Sequence, residues 1–192
     1  MEALSKTSVR QQIRQALVAL SPAERSSLSL KVGEILRNQP AWREANFILG
    51  FAPLSDEPDV MPLLEECWAS NKRVALPRYD SGSSVYTACA VSARNEIRLG
   101  NFGVLEPGAG CPLVPLNQLD FILVPGVAFD LAGRRLGRGK GFYDRLLAEV
   151  RGHKCGVAFD AQIVAHLPEE PHDIRVDSIL TPTRWHSCRR VA

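Results

Sequence analysis

The sequence predicts an α/β fold, a three-layer sandwich in which helices cover a mainly parallel sheet. Apolar runs of strand length alternate with amphipathic helical segments, and turn-forming residues separate them along the chain. The chain has 192 residues, of which 45% are hydrophobic, so one domain spanning 1–192 can bury a substantial core. In such a sandwich the ligand crevice lies beyond the carboxyl ends of the parallel strands.

The first two predicted helices open the chain. Apolar residues recur at three- and four-residue steps from Val9 to Leu20, which indicates an amphipathic helix that stops at Leu20. Ser21 and Glu24 then form a capping box around Pro22, so a second helix begins there and runs to about residue 37. Two further helices are predicted at 60–71 and 142–150.

The predicted strands alternate with these helices, at 46–52, 73–78, 85–91, 121–124, 154–159 and 178–181. The segment 95–99 is ambiguous, and 101–115 is rich in glycine and proline, which is typical of a loop. The loops 54–59 and 128–140 each follow a strand, so we expect both to emerge at the crevice.

Composition argues against several classes of protein. The net charge of +2 is too small to indicate nucleic-acid binding, so a local basic cluster suits a small polyanion better. The five cysteines are odd in number and lack a Cys-x-x-Cys pair, which favours reduced thiols over disulfides or structural zinc. No signal peptide or membrane-crossing stretch is recognisable, so the expected compartment is the cytoplasm.

The most informative segment is a glycine-rich basic loop between a strand and a helix. Glycines and cations alternate there, at Gly137, Arg138, Gly139, Lys140 and Gly141. The glycines permit positive φ angles that point backbone N–H groups inward, while the cationic side chains close around an anion. The start of the following helix and two arginines just upstream add positive potential. The spacing matches neither the P-loop nor the dinucleotide-binding fingerprint.

This segment carries a resemblance to a known family. From Pro125 to Asp144 the chain follows the pattern Pro-Gly-x-x-Phe-Asp, a short turn with glycine, then Arg-Leu-Gly-x-Gly-x-Gly-Tyr/Phe-Tyr-Asp. Outlying matches are Lys6 and Arg10, Asp56-Glu57, Pro77-Arg78, 101–107 and 172–177. From about residue 6 to about residue 185 the chain resembles the 5-formyltetrahydrofolate cyclo-ligase family. It departs from the family pattern at 142, where many relatives have tyrosine, and at 102, where some have tryptophan.

The resemblance implies a fold similar to the sugar-phosphate isomerase and CoA-transferase class, and an enzyme that depends on ATP and Mg²⁺. Such an enzyme converts 5-formyltetrahydrofolate and ATP into 5,10-methenyltetrahydrofolate, ADP and phosphate. In the family's route the γ-phosphoryl group passes to the formyl oxygen, the neighbouring folate nitrogen attacks the activated carbon, and phosphate departs. Phosphoryl transfer depends on positioning and cations, so no protein nucleophile is needed. The expected partners are these two small molecules, with no nucleic acid or membrane, and the expected state is a monomer.

The resemblance also implies which residues form the site. The catalytic cations would be Arg138 and Lys140. The ATP-binding residues would be Lys6, Arg10, Arg134, Gly137, Arg138, Gly139, Lys140, Gly141 and Tyr143. Glu57 would accept hydrogen bonds from the pterin's amino-pyrimidine edge, and flat apolar surfaces for the folate rings would come from Phe102, Phe142 and Tyr143. Asp144 and Asp173 would bind Mg²⁺, which prefers oxygen ligands. Arg78 would meet a folate carboxylate.

Simpler interpretations stand beside these. Lys6 and Arg10, four residues apart on an amphipathic helix, also fit a solvated polar face, and Asp144 also fits an acid that complements a helix dipole. The basic loop alone indicates only an anion, so a sugar-phosphate isomerase and a non-catalytic folate-binding protein are alternative functions. His166 and His172 stand in no metal or triad spacing, and neither is assigned a role.

Overall fold

The computed structural model of the chain describes residues 5–100, 103–139 and 141–188. The helices in these residues are α1 (Lys6–Val18), α2 (Pro22–Arg37), α3 (Pro40–Glu44), α4 (Met61–Ala69) and α5 (Phe142–Glu149). The strands are β1 (Phe47–Leu49), β2 (Arg73–Asp80), β3 (Val85–Val91), β4 (Ile97–Leu99), β5 (Leu105–Pro107), β6 (Phe121–Pro125), β7 (Ala128–Asp130), β8 (Arg135–Leu136), β9 (His153–Val157), β10 (Ile163–Val164), β11 (Ser178–Leu180) and β12 (Trp185–Ser187). None of the described helices combines the length and apolar character that a membrane-spanning segment requires.

Among the described strands, seven form a central sheet in the order β12-β11-β9-β6-β1-β2-β3. The strands from β11 to β2 run parallel to one another, whereas the edge strands β12 and β3 are antiparallel to their neighbours. The first strand, β1, lies inside the sheet, with the parallel strands β2 and β6 on its two sides. The loops after β1 and β6 therefore leave the same edge of the sheet side by side.

Alternate side chains of the central strands build a core on each face of the sheet. On β6, Phe121 and Leu123 pack with residues of α2 and α4, whereas Ile122 and Val124 pack with residues of α5. All four are completely buried, and burying such a side chain contributes about 1.5–3 kcal/mol. Helices thus cover both faces of a mainly parallel sheet, and the predicted fold class is confirmed.

The predicted helix starts are also present. The Ser21 hydroxyl accepts a hydrogen bond from the Glu24 backbone N at 3.3 Å, while the Glu24 carboxylate accepts one from the Ser21 backbone N at 2.8 Å. This is the predicted capping box, and α2 has the predicted bounds. Helix α1 ends two residues before Leu20. Its buried residues Val9, Ile13 and Leu17 pack in a third core with residues of β7 and β8, which fixes α1 against the basic segment.

Some elements lie where the sequence patterns predict loops. Strands β7 and β8 form an antiparallel hairpin inside the predicted loop 128–140, and β5 lies inside 101–115. The turn of the hairpin is organised by the buried Asp130, whose Oδ1 accepts hydrogen bonds from the backbone N of Ala132 and Arg134. Helix α3 has five residues, too few for a periodic pattern. The predicted strand 46–52 is shorter in the structure: β1 covers Phe47–Leu49, and the Gly50 N–H still donates to the Ala75 oxygen of β2 at 2.9 Å.

The ring of Phe129 in β7 packs against two glycines, Gly156 in β9 and Gly126 in the link between β6 and β7. A Cβ atom added at Gly156 of β9 would lie 2.5 Å from the Phe129 ring, and one added at Gly126 would lie 2.6 Å from it. Both glycines therefore allow a close approach that any other residue would block. Phe129 itself is fully buried, so its ring has no room to move aside.

We expect Gly156→Ala to lower the free energy of unfolding by about 1–3 kcal/mol, because the new methyl overpacks the core against Phe129. Urea denaturation measures this change. Gly110→Ala is the matched control, since a Cβ there meets nothing within 4 Å and should change the stability by no more than about 0.5 kcal/mol. Equal stability of the two variants would show that the ring does not need the glycine.

Candidate functional site

The main cavity opens at the carboxyl ends of β1 and β6 and has a volume of about 540 Å³. Its walls come from the loop after β1, the β7–β8 hairpin with the loop that follows it, the first residues of α1 and α5, and the segment 170–173. Most of the predicted site residues line it: Lys6, Arg10, Glu57, Gly137, Arg138, Gly139, Gly141, Tyr143, Asp144 and Asp173. The crevice lies at the predicted end of the sheet.

Not every predicted site residue has a described position in this cavity. Lys140 and Phe102 lie outside the described residues, as does the side chain of Phe142. Arg78 is described but does not line the cavity; its guanidinium donates to the backbone oxygens of Gly108 and Cys111 at 3.0 and 3.4 Å. The structure thus gives Arg78 a role in holding a loop.

Arg134 requires a correction. Its guanidinium contacts two carboxylates: Nη1 lies 3.1 Å from Asp130 Oδ2, and Nε lies 3.2 Å from Glu169 Oε2. Arg134 is not among the residues that line the cavity. The neighbouring Arg135 lines the cavity instead. Neighbouring residues of an extended segment point to opposite sides, so Arg135 in β8 reaches the cavity and Arg134, directly before β8, does not. The motif itself carried this signal, because its Arg-Leu-Gly begins at Arg135.

In the glycine-rich loop, two glycines have positive φ angles, and a third makes room for a neighbouring side chain. Gly139 has φ of 100° and Gly141 has φ of 64°, as predicted for an inward-facing backbone. Gly137 lacks the predicted positive φ; its hydrogen in place of a side chain leaves room for Arg135, whose Nη1 would lie 3.0 Å from a Cβ at this position. The Gly137 carbonyl accepts a hydrogen bond from Arg10 Nε at 3.0 Å, which joins α1 to the loop.

Lys6 meets two carboxylates across the cavity. Its Nζ lies 2.8 Å from Asp173 Oδ2 and 3.1 Å from Glu170 Oε1. Burial opposes the charge of Lys6, but the hydrogen bonds to Asp173 and Glu170 raise its pKa above the ordinary value. Burial likewise opposes ionisation of Asp173, but the hydrogen bond from Lys6 holds its pKa below the ordinary value. Both groups are therefore charged near neutral pH.

Arg138 joins the basic loop to the acidic pair after β1. Its Nη2 donates to Asp56 Oδ1 at 2.7 Å and to Glu57 Oε1 at 3.1 Å. The other oxygen of Glu57 accepts a hydrogen bond from the backbone N of Leu54 at 3.0 Å. Glu57 is 8% exposed, and burial raises its pKa against the opposing effects of the Leu54 amide and Arg138. Glu57 is thus a buried acceptor on the cavity wall.

Arg135 and Asp144 form a buried ion pair. The two side chains are 3% and 15% exposed, and Arg135 Nη2 lies 2.7 Å from Asp144 Oδ1. The guanidinium carbon of Arg135 lies 5.7 Å from the centre of the Tyr143 ring, in the range of a cation–π contact. Burial raises the pKa of Tyr143, so its hydroxyl remains protonated.

Two further cavity residues were not singled out from the sequence. Glu106 of β5 is 4% exposed and lines the cavity, and Tyr86 of β3 faces Tyr143 with 6.0 Å between the ring centres. Glu106 lies in a segment predicted as a loop, where a charged residue normally faces solvent. Its only signal was its place in the matched segment 101–107. His172, which had no assigned role, also lines the cavity beside Glu170 and Asp173.

Comparisons with known proteins identify the family of the chain. The sequence pattern of the 5-formyltetrahydrofolate cyclo-ligase family matches residues 2–182. The chain belongs to this family. It is 32% identical over 179 residues to the 5-formyltetrahydrofolate cyclo-ligase of Escherichia coli strain K12, a match that covers 90% of this chain and 97% of the relative. It is 30% identical over 188 residues to that of Mus musculus, covering 92% and 93%.

A solved structure of similar fold supports the assignment. The NMR structure of Aquifex aeolicus 5,10-methenyltetrahydrofolate synthetase superposes with a TM-score of 0.87 at 35% identity, covering 97% of this chain and 94% of the other. The chain is therefore an enzyme of the cyclo-ligase family, with the family's α/β fold.

The carboxylates predicted to bind a metal in this cyclo-ligase family member each have a cationic partner. Asp144 contacts Arg135 and Asp173 contacts Lys6. In the described part of the chain no three His, Cys, Asp or Glu side chains are grouped as a metal centre. Two carboxylates in one cavity nevertheless suit a hard cation that keeps water molecules and phosphate oxygens as its other ligands.

We expect Asp144→Asn to lower the free energy of unfolding by about 3–5 kcal/mol, because it leaves the buried Arg135 guanidinium without its countercharge. Urea denaturation without ligands measures this effect. Glu65→Gln is the control: it breaks the exposed ion pair with Arg94 and should cost at most about 1 kcal/mol. The structural role of Asp144 is refuted if both variants are equally stable.

Proposed function

We propose that this cyclo-ligase family member catalyses the ATP- and Mg²⁺-dependent cyclisation of 5-formyltetrahydrofolate to 5,10-methenyltetrahydrofolate, releasing ADP and phosphate, as a cytoplasmic monomer. The observation that carries this proposal is the composition of the cavity wall. Cations from α1 and the glycine-rich loop stand in the same cavity as the buried acceptor Glu57. A polyanion and a flat polar heterocycle can therefore be held side by side.

The nucleotide phosphates are assigned to the cationic side of the cavity. Lys6 and Arg10 reach it from α1, and Arg138 reaches it from the loop between β8 and α5. Gly139 and Gly141 have the positive φ angles that let successive amides face an anion. Lys140 joins this set by its place in the motif. Preorganised cations that match the charge of a transferring phosphoryl group contribute most of the rate in such reactions.

The folate is assigned to the side that carries Glu57 and Tyr143. The amino-pyrimidine edge of a pterin presents two N–H donors, and an ionised carboxylate offers acceptors only. Hydrogen bonds to a charged group are about twice as strong as neutral ones, so Glu57 fixes the orientation of the ring. Tyr143 supplies an aromatic face, and Phe102 and Phe142 are assigned further faces by their places in the family pattern.

The proposed reaction needs only binding and orientation from the protein. The formyl oxygen attacks the γ-phosphorus, an O–P bond forms and ADP leaves with the electrons of the broken P–O bond. The neighbouring folate nitrogen then attacks the formyl carbon, loses its proton, and phosphate departs with the former formyl oxygen. Arg138 lines the cavity and contacts Glu57, so it stands between the cations assigned to the phosphates and the acceptor assigned to the folate. We assign it, with Lys140, to stabilising the charge of the transferring phosphoryl group.

A magnesium ion fits the carboxylates at the nucleotide side. Asp144 and Asp173 would hold it, and when bound it neutralises phosphate charge. Both carboxylates contact cations in the structure, Asp144 with Arg135 and Asp173 with Lys6, so each would share its oxygens between its cation and the metal.

The decisive experiment follows near-ultraviolet absorbance of the purified protein with 5-formyltetrahydrofolate, ATP and Mg²⁺. We expect the absorbance of the methenyl product to grow only when both ATP and Mg²⁺ are present. Calorimetry with each substrate runs in parallel. Folate binding without product would indicate a non-catalytic folate-binding protein, and silence in both measurements would leave the basic loop with another phosphate ligand, such as a sugar phosphate.

We expect the affinity for 5-formyltetrahydrofolate to fall with acidification, at a pH above the ordinary titration range of glutamate. Burial raises the pKa of Glu57, so affinity is full above that raised pKa and is lost as the pH falls through it. Glu57→Gln should weaken binding about tenfold to a hundredfold and remove this pH dependence. Calorimetry across pH tests both effects, with Glu65→Gln as the control. An unchanged profile in Glu57→Gln would show that another group accepts the pterin.

A further inference from the structure

The cavity wall around Asp173 has no helix or strand to hold it. Residues 165–177, all of them described, form neither. Within this segment, the Asp173 backbone N donates to the Glu170 oxygen at 3.0 Å, and the Glu170 backbone N donates to Asp173 Oδ2 at 2.8 Å. These bonds close the 170–173 turn, whose two carboxylates both contact Lys6. The place of this turn on the cavity wall is therefore set by contacts with other parts of the chain.

The turn of the β7–β8 hairpin holds this segment on both sides of the 170–173 turn. The Leu167 backbone N donates to Asp130 Oδ2 at 2.9 Å, and the Val176 backbone N donates to the Gly133 oxygen at 2.9 Å. A Cβ atom at Gly133 would lie 2.5 Å from the Val176 oxygen, so this approach requires glycine. The two contacts fix the ends of the segment but not the course of the chain between them.

Glu169 provides a contact between these two ends. Arg175 binds its carboxylate with two nitrogens, Nε at 2.6 Å from Oε1 and Nη2 at 2.5 Å from Oε2, and Arg134 Nε lies 3.2 Å from Oε2. Bidentate pairing of this kind fixes the direction of both side chains. Hydrogen bonds from Arg175 and Arg134 lower the pKa of Glu169 to about 2, so the carboxylate is ionised near neutral pH. Arg134 also contacts the buried Asp130, which joins Glu169 to the hairpin.

At two places, adjacent residues divide between the cavity and its outer side. Arg135 lines the cavity and Arg134 does not; Glu170 lines it and Glu169 does not. The two outer residues, Arg134 and Glu169, form an ion pair with each other. This pair therefore sets the spacing between the two inner residues, and with it the position of the carboxylate that contacts Lys6.

We propose that Glu169 is a positioning residue, which holds the 170–173 turn where its carboxylates face Lys6 and so supports nucleotide binding. This inference rests on the proposed function, in which Lys6 contacts the nucleotide phosphates. Partly exposed ion pairs contribute little to stability, whereas a displacement of about 1 Å in a reacting site costs about a hundredfold in rate. Loss of the Glu169 charge therefore affects the nucleotide much more than it affects folding.

The test is Glu169→Gln, which removes the charge and keeps the size of the side chain. Calorimetry without metal should show the affinity for a non-hydrolysable ATP analogue weakened about three- to tenfold, because Lys6 loses its fixed position. We expect KM for ATP to rise by a similar factor in the activity assay. The affinity for 5-formyltetrahydrofolate should be unchanged, and the thermal unfolding midpoint should fall by no more than about 4 °C.

Glu66→Gln is the matched control. Glu66 in α4 is also bound by two nitrogens of one arginine, Arg37 Nε at 2.8 Å and Nη2 at 2.5 Å, but neither residue lines the cavity. Its variant should bind both substrates like the wild type. Arg134→Gln alone should weaken nucleotide binding as Glu169→Gln does, and the double variant should lose little more than either single one. Additive losses would show that the two residues act separately and would overturn the inference.

Three further outcomes overturn the inference. If Glu169→Gln binds the ATP analogue like the wild type and has the same KM for ATP, Glu169 does not position the site, and the proposed function stands. If the affinities for both substrates fall together with the unfolding midpoint, Glu169 has a general structural role. If the wild type neither binds the nucleotide nor forms product, the proposed function fails and the inference fails with it. Measuring the wild type first therefore separates the two kinds of failure.

Discussion

The ion pair between Arg135 and Asp144 holds the candidate site together. One partner lies on β8 and the other in the first turn of α5, so the pair closes the two ends of the glycine-rich loop between them. Burying both charges costs free energy, and the short contact between them offsets much of that cost. The loop gains fixed ends, and its glycines can then adopt left-handed backbone without loosening the whole segment.

Ion pairs between opposite charges also occur elsewhere on the cavity wall. Lys6 faces Asp173, and Arg138 faces Asp56, so the cationic wall is compensated by acids before any ligand is present. Such compensation avoids the self-repulsion that a cluster of unpaired cations would produce in a partly buried space. Under the proposed function, it also makes ligand binding an exchange, in which phosphate oxygens compete with carboxylates for the same cations. The affinity for phosphate is the difference between two favourable interactions.

The sequence predicted the sheet and most of the helices because these depend on local periodicity and capping, as the box at Ser21 shows. It predicted the crevice because the ends of parallel strands share one edge of the sheet. It named Arg134 where the structure brings Arg135 to the cavity. The motif pointed to Arg135, but the side on which each arginine lies depends on the two-residue strand β8, which periodicity does not reveal. The buried Glu106 was missed for a similar reason: burial of a charge in a glycine-rich segment depends on tertiary contacts, which periodicity does not report.

The Arg138 side chain connects the two halves of the cavity. A single nitrogen, Nη2, donates to both Asp56 and Glu57, so any ligand that draws this nitrogen away changes both acids at once. Glu57 would then keep one donor, the Leu54 amide, and its buried charge would be less well satisfied. A carboxylate in that state gains more from the N–H groups of an incoming ring than one already paired with arginine. Under the proposed function, the contact of Arg138 with both acids therefore ties phosphate binding on the cationic side of the cavity to the strength of folate binding at Glu57.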